Sequence, residues 1–101
     1  MTKLIGDSNQ TKVTEISQYL EGFESYGINV KIKTNDYEFT LYGCDKTVYI
    51  DEDENEIIDY VDYCYFSDDN TTLRLIESHS SYDKVIEIDV SEIIEVTEVF
   101  I

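Results

Sequence analysis

The chain has 101 residues, enough for one domain with one core and little beyond it. A hydrophobic fraction of 42% with 13% aromatic residues excludes a disordered chain. A formal net charge of -16 excludes direct binding to nucleic acid or to an anionic membrane, which are themselves polyanions.

Residues 8–26 read as the single long helix. Val13, Ile16, Leu20 and Phe23 recur at three- and four-residue spacing and form one apolar stripe. Asp7 or Ser8 can cap its start, and Gly27 suits the left-handed position just past its end. Gly22 within the helix costs about 1 kcal/mol relative to Ala.

After Gly27 the period becomes two. Ile28, Val30 and Ile32 alternate with Asn29, Lys31 and Lys33, and Tyr37, Phe39 and Leu41 follow on alternate positions beyond Asn35-Asp36. That pattern predicts a β-hairpin, with Tyr37 filling the core or its rim. Residues 43–45 break the chain, and residues 47–50 predict a third strand. Residues 57–66 are ambiguous, because their β-branched and aromatic content favours a strand while Ile57, Ile58, Val61 and Tyr65 also share a helical face. The strand is the preferred reading.

Residues 67–70 predict a polar turn, 71–76 a strand, 79–83 a loop and 86–90 another strand. Ser91-Glu92 forms a short break before a last strand or short helix over residues 94–100. The predicted fold class is α+β: a single domain over residues 1–101, with one N-terminal helix packed on a meander-like antiparallel sheet of about five to seven strands.

The charge is unevenly placed. Residues 1–50 hold seven acids and five bases, whereas residues 51–101 hold sixteen acids against Arg74 and Lys84 alone. A net charge of magnitude about 2 to 8 is enough to keep a small domain in solution, and a larger excess opposes compaction by self-repulsion. The asymmetry predicts a surface for a basic protein partner. Asp51, Glu52, Asp53, Glu54, Glu56, Asp59, Asp62, Asp68 and Asp69 form a run with no base, interleaved with Tyr60 and Tyr63. Tyrosine supplies a face on which Arg stacks, and carboxylates pair bidentately with the same Arg. On a strand, residues two apart face one way at roughly 6.6 Å, so Asp51 with Asp53, or Glu87 with Asp89, would present a regular carboxylate row.

Chemistry-bearing signatures are sparse. His79 is the sole histidine, in a His-Ser-Ser-Tyr loop, and nothing marks Ser80, Ser81, Cys44 or Cys64 as a nucleophile. The four glycines are scattered and form no phosphate loop. Residues 51–62 partly match a calcium loop, but Glu56 stands where that loop needs glycine and Asp62 where it needs a bidentate Glu. No metal, cofactor or catalytic residue is therefore expected. Two cysteines are few for a secreted scaffold, and Met1–Gly6 leaves no room for the apolar core of a signal peptide. The expected setting is a reducing cytoplasm with two buried or inert thiols.

In size, charge and lack of catalytic signature the chain resembles phage-encoded inhibitors of bacterial defence, such as anti-restriction and anti-CRISPR proteins. That resemblance implies a nucleic-acid mimic whose partner is a basic nuclease, a CRISPR effector or a similar nucleic-acid-binding protein. The alternatives are an immunity protein or antitoxin for one cognate basic nuclease and, third, a calcium-binding domain.

Overall fold

The computed structural model describes residues 2–4, 8–51, 53 and 55–100. In chain order the elements are β1 (Thr2–Leu4), α1 (Asn9–Tyr26), β2 (Asn29–Thr34), β3 (Glu38–Tyr42), β4 (Thr47–Ile50), β5 (Asn55–Ile58), β6 (Tyr63–Phe66), β7 (Thr72–Ser78), β8 (Asp83–Asp89), a 3-10 turn (Val90–Glu92) and β9 (Ile93–Val99). The fold is α+β, with one helix packed on antiparallel sheet.

The helix begins where its cap allows. Ser8 is extended, at φ -83° and ψ 148°, and its hydroxyl accepts from the Thr11 amide, relieving one of the unpaired N–H groups of the first turn. It ends at Gly27, whose φ of 68° suits a residue without a Cβ. Ile16, Leu20 and Phe23 are buried and Val13 packs against them, as the stripe requires. Each such burial contributes about 1.5–3 kcal/mol. No base lies in the last turn of α1, and the β3–β4 turn supplies one instead. The Lys46 ammonium donates to the carbonyls of Phe23 and Glu24 and sits 4.7 Å from the Phe23 ring centroid. A cation there complements the negative end of the helix dipole.

Two sheets form. The larger has the order β1-β9-β2-β3-β4-β5, and the smaller has the order β6-β7-β8. Strands β2 to β5 make the expected meander. The chain then leaves to build β6 to β8 and returns as β9, which enters between β1 and β2. The second sheet and this return are departures from a simple meander. The ambiguous 57–66 stretch is neither one strand nor a helix: β5 and β6 take its ends and residues 59–62 link the two sheets. The last element is the strand alternative, β9.

Alternation explains which faces meet. In β2 the side chains of Val30, Ile32 and Thr34 are buried, whereas Lys31 and Lys33 face out. Phe39 and Leu41, Val48, and Val96 continue the inner face across β3, β4 and β9. Leu73, Leu75 and Ile88 from the smaller sheet join the same cluster, so the helix and both sheets share one core.

Candidate functional site: the acidic surface

The acidic run does not form one row. Asp51 and Asp53 lie in the β4–β5 turn, where Asp51 adopts a φ of 65° and its amide donates to the Glu38 carbonyl at 2.7 Å. The strand spacing expected for this pair is therefore absent. Glu52 and Glu54 fall outside the described residues. Glu56 is exposed on β5 and accepts from the Tyr49 hydroxyl at 3.2 Å. A hydrogen bond with Asp59 is the largest cause holding its carboxyl above the usual range.

Three of the expected site acids serve the chain's own turns. Asp62 Oδ2 accepts from the Ser78 amide at 2.6 Å. Asp69 Oδ1 accepts from both the hydroxyl and amide of Thr71 and from the Ser67 hydroxyl, contacts that hold its pKa down. Asp89 Oδ1 accepts from the amide and hydroxyl of Ser91 and so caps the 3-10 turn. Glu87 is on the outer face of β8, bound to Arg74 Nε at 2.9 Å. Asp53, Asp59 and Asp68 are exposed, and no backbone amide is bonded to their carboxylates among the described residues.

Tyr60 and Tyr63 are exposed, as a contact role requires. Tyr63 stacks on Tyr65 with ring centroids 6.0 Å apart, and Arg74 lies 5.7 Å over Tyr65. Tyr37 is 52% exposed and stands at the rim, 6.3 Å from Phe39, rather than in the core.

Four of the described bases are engaged within the fold. Lys12 is buried and donates to the Ser91 carbonyl at 3.0 Å, docking α1 on the 3-10 turn. Lys46 caps α1. Lys31 pairs with Glu38 at 3.1 Å and Arg74 with Glu87. Two of these cations thus satisfy carbonyl groups instead of carboxylates, so few of the acids have a cation partner among the described residues.

Register gathers acids that are distant in sequence. The β3–β4 pairing puts Phe39 opposite Ile50, so Glu38 and Asp36 come beside Asp51 and Asp53. These four carboxylates, with Lys33 and Tyr37, line an open groove of about 440 Å³. Asp36 and Glu38 come from the near-neutral half, and charge counting passed over them. The β2–β3 hairpin signal is the feature that could have located them. Thr34 and Tyr37 also border a second cleft, of about 350 Å³, lying between the two sheets. Its walls are Phe39, Ile50 and Ile57 on one side and β8 on the other.

His79 Nε2 is 3.1 Å from Glu77 Oε1, and its ring stacks on Tyr82 at 4.5 Å. Among the described residues neither Ser80 nor Ser81 hydrogen-bonds this histidine, so no nucleophile joins the pair. The calcium-like segment is interrupted by β5, which extends the chain from Asn55 to Ile58 where a calcium loop would have to curl round the ion. Among the described residues no group of three His, Cys, Asp or Glu is placed to hold a metal ion. Both cysteines are free. Cys44 is exposed, while burial and the nearby Glu24 push the Cys64 thiol up to about 12. No described helix is long and apolar enough to cross a membrane.

No protein family, characterised protein or solved structure matches this chain.

Proposed function

We propose that this protein is a non-enzymatic inhibitor that binds a basic nucleic-acid-binding protein and takes the place of the nucleic acid. The observation that carries the reading is the convergence of Asp36, Glu38, Asp51 and Asp53 on one open groove, with Lys33 as the one base among its lining residues. A channel lined with Lys and Arg binds a polyanion by releasing counterions, and a rigid cluster of carboxylates offers the same gain. Tyr60, Tyr63 and Tyr65 add stacking surface for the partner's Arg side chains. The partner class is a bacterial defence nuclease or CRISPR effector, which makes the role one of the anti-restriction or anti-CRISPR type.

The test is capture and inhibition of candidate effector nucleases at about 50 and 500 mM salt, with the nucleic acid present as competitor. The expected result is salt-sensitive capture that displaces the nucleic acid. Reversing Asp53, Asp59 and Asp68 to Lys should weaken it while leaving the fold intact, because none of the three carboxylates holds a backbone amide among the described residues. Capture that is indifferent to both salt and charge reversal refutes the reading. Inhibition without displacement identifies an immunity-type protein instead.

A further inference from the structure

Among the described residues strand β8 is an edge strand, paired with β7 alone. The His79 amide donates to the Tyr82 carbonyl and the Val90 amide to the Thr71 carbonyl, which fixes the phase of the ladder between them. In an antiparallel pair, hydrogen-bonded and non-bonded positions alternate. Lys84, Ile86 and Ile88 therefore spend their amides and carbonyls on β7. Asp83, Val85, Glu87 and Asp89 point theirs away from it.

That free edge is not open on all sides. Five consecutive residues, 85 to 89, border the cleft between the sheets. A strand contributes consecutive residues to one wall when its backbone edge, rather than one of its faces, forms that wall. The opposite wall is apolar, made by Phe39, Ile50 and Ile57. Natural edge strands are commonly protected by lysines, proline or a bulge. Here Asp83, Glu87 and Asp89 surround the free amides, with Lys84 as the single base, and no register shift interrupts the β7–β8 pairing.

From this we infer that the cleft takes an extended segment of a partner protein, added as a fourth strand to the β6-β7-β8 sheet. Its alternate residues are apolar and basic. The apolar ones enter the cleft against Phe39, Ile50 and Ile57, and the basic ones meet Glu87, Asp89 and the adjoining Asp36–Glu38–Asp51–Asp53 groove. A second copy of this chain is disfavoured as occupant, because two bodies of net charge -16 would align acid on acid. Main-chain bonds supply the affinity and the alternating side chains the choice of partner, as in other strand additions. The basic character of the strand rests on the proposed function, whereas the free edge and the cleft do not.

The probe is a capped eight-residue peptide of alternating Val and Lys, labelled for fluorescence anisotropy. It should bind, and a Val/Glu peptide of the same pattern should not. N-methylation at one set of alternate residues should weaken binding about tenfold or more, and the same modification one residue along should be tolerated, because only one set donates to β8. In the protein, Val85→Pro removes an amide that points away from β7, so the fold should persist while binding falls by a similar factor. If both methylated peptides bind alike, or Val85→Pro binds as the parent does, strand addition is refuted and the peptide is held by charge alone. That outcome would leave salt-sensitive capture of a basic partner standing. Loss of that capture with alternate-residue sensitivity intact would overturn the proposed function instead.

Discussion

Glu77 is the buried carboxylate on which the link between the sheets depends. It is 6% exposed, and its Oε2 accepts from the amides of Asp59 and Tyr60 at 2.9 Å each, while Oε1 meets His79. Glu77→Ala leaves both amides without an acceptor in a partly buried loop, at a cost of about 2–4 kcal/mol. For a domain of this size that lowers Tm by roughly 10–25 °C. Glu77→Gln keeps an acceptor oxygen and loses only the charge, so about 1–2 kcal/mol is expected. Burial pushes the carboxyl upward, but the bonds from His79, Tyr60 and Asp59 outweigh it and hold its pKa below the ordinary value. A folded-state pKa below the unfolded one stabilises above the unfolded value of about 4.3 and loses that stabilisation as pH falls through the folded value. The difference between parent and Glu77→Gln should thus be full at neutral pH and shrink below about pH 4. Urea unfolding followed by far-ultraviolet circular dichroism at several pH values reads both quantities. An alanine cost under about 0.5 kcal/mol, or a glutamine difference that ignores pH, refutes this account.

Gly43→Ala should be among the most damaging single changes. A Cβ there would lie 2.2 Å from the Gly27 carbonyl carbon and 2.5 Å from the oxygens of Gly27 and Ile28, all of them backbone, so about 3 kcal/mol or more is expected in thermal unfolding. Lys46→Met removes the cation from the end of α1 and should cost about 1–2 kcal/mol, with faster amide exchange in the last turn of the helix. A thiol reagent should titrate Cys44 in the native protein and reach Cys64 only after unfolding, since burial disfavours the Cys64 thiolate. Raising salt from about 10 to 300 mM should increase the unfolding midpoint, because screening relieves the self-repulsion of a chain at -16; a decrease would count against uncompensated surface charge.

Local patterning made much of the fold legible. The stripe from Val13 to Phe23, with Ser8 before it and Gly27 after it, placed α1 to within a residue, because cap, period and stop agree there. Asn35-Asp36 marked the β2–β3 turn for the same reason. The division into two sheets was not legible, since nothing local in Ile57–Phe66 says that the residues on either side of 59–62 pair with different neighbours. The link itself is held from a distance, by Glu77 of strand β7, whose carboxylate accepts from the amides of Asp59 and Tyr60. The candidate site divided likewise. The acidic surroundings of Tyr60 and Tyr63 marked them as contact candidates without showing that they are exposed, and the groove needs Asp36 and Glu38, which only the β3–β4 register brings to Asp51 and Asp53. Counting charges along the chain also could not separate acids that hold turns, such as Asp62, Asp69 and Asp89, from acids whose carboxylates are bare.

That separation bears on how a small domain tolerates so much like charge. Asp62, Asp69 and Asp89 each accept from a backbone amide, and Glu77 accepts from two beside its contact with His79, so peptide dipoles stabilise all four. Lys12 and Lys46 are stabilised the same way at the other pole, by carbonyls. A pairing of acid with base satisfies both groups and cancels the field outside. A pairing of each with the backbone satisfies them locally and keeps the acidic and basic charges apart, while the net charge of the chain is the same in either case. The fold therefore gains turn and cap stability from charged side chains without discharging its surface.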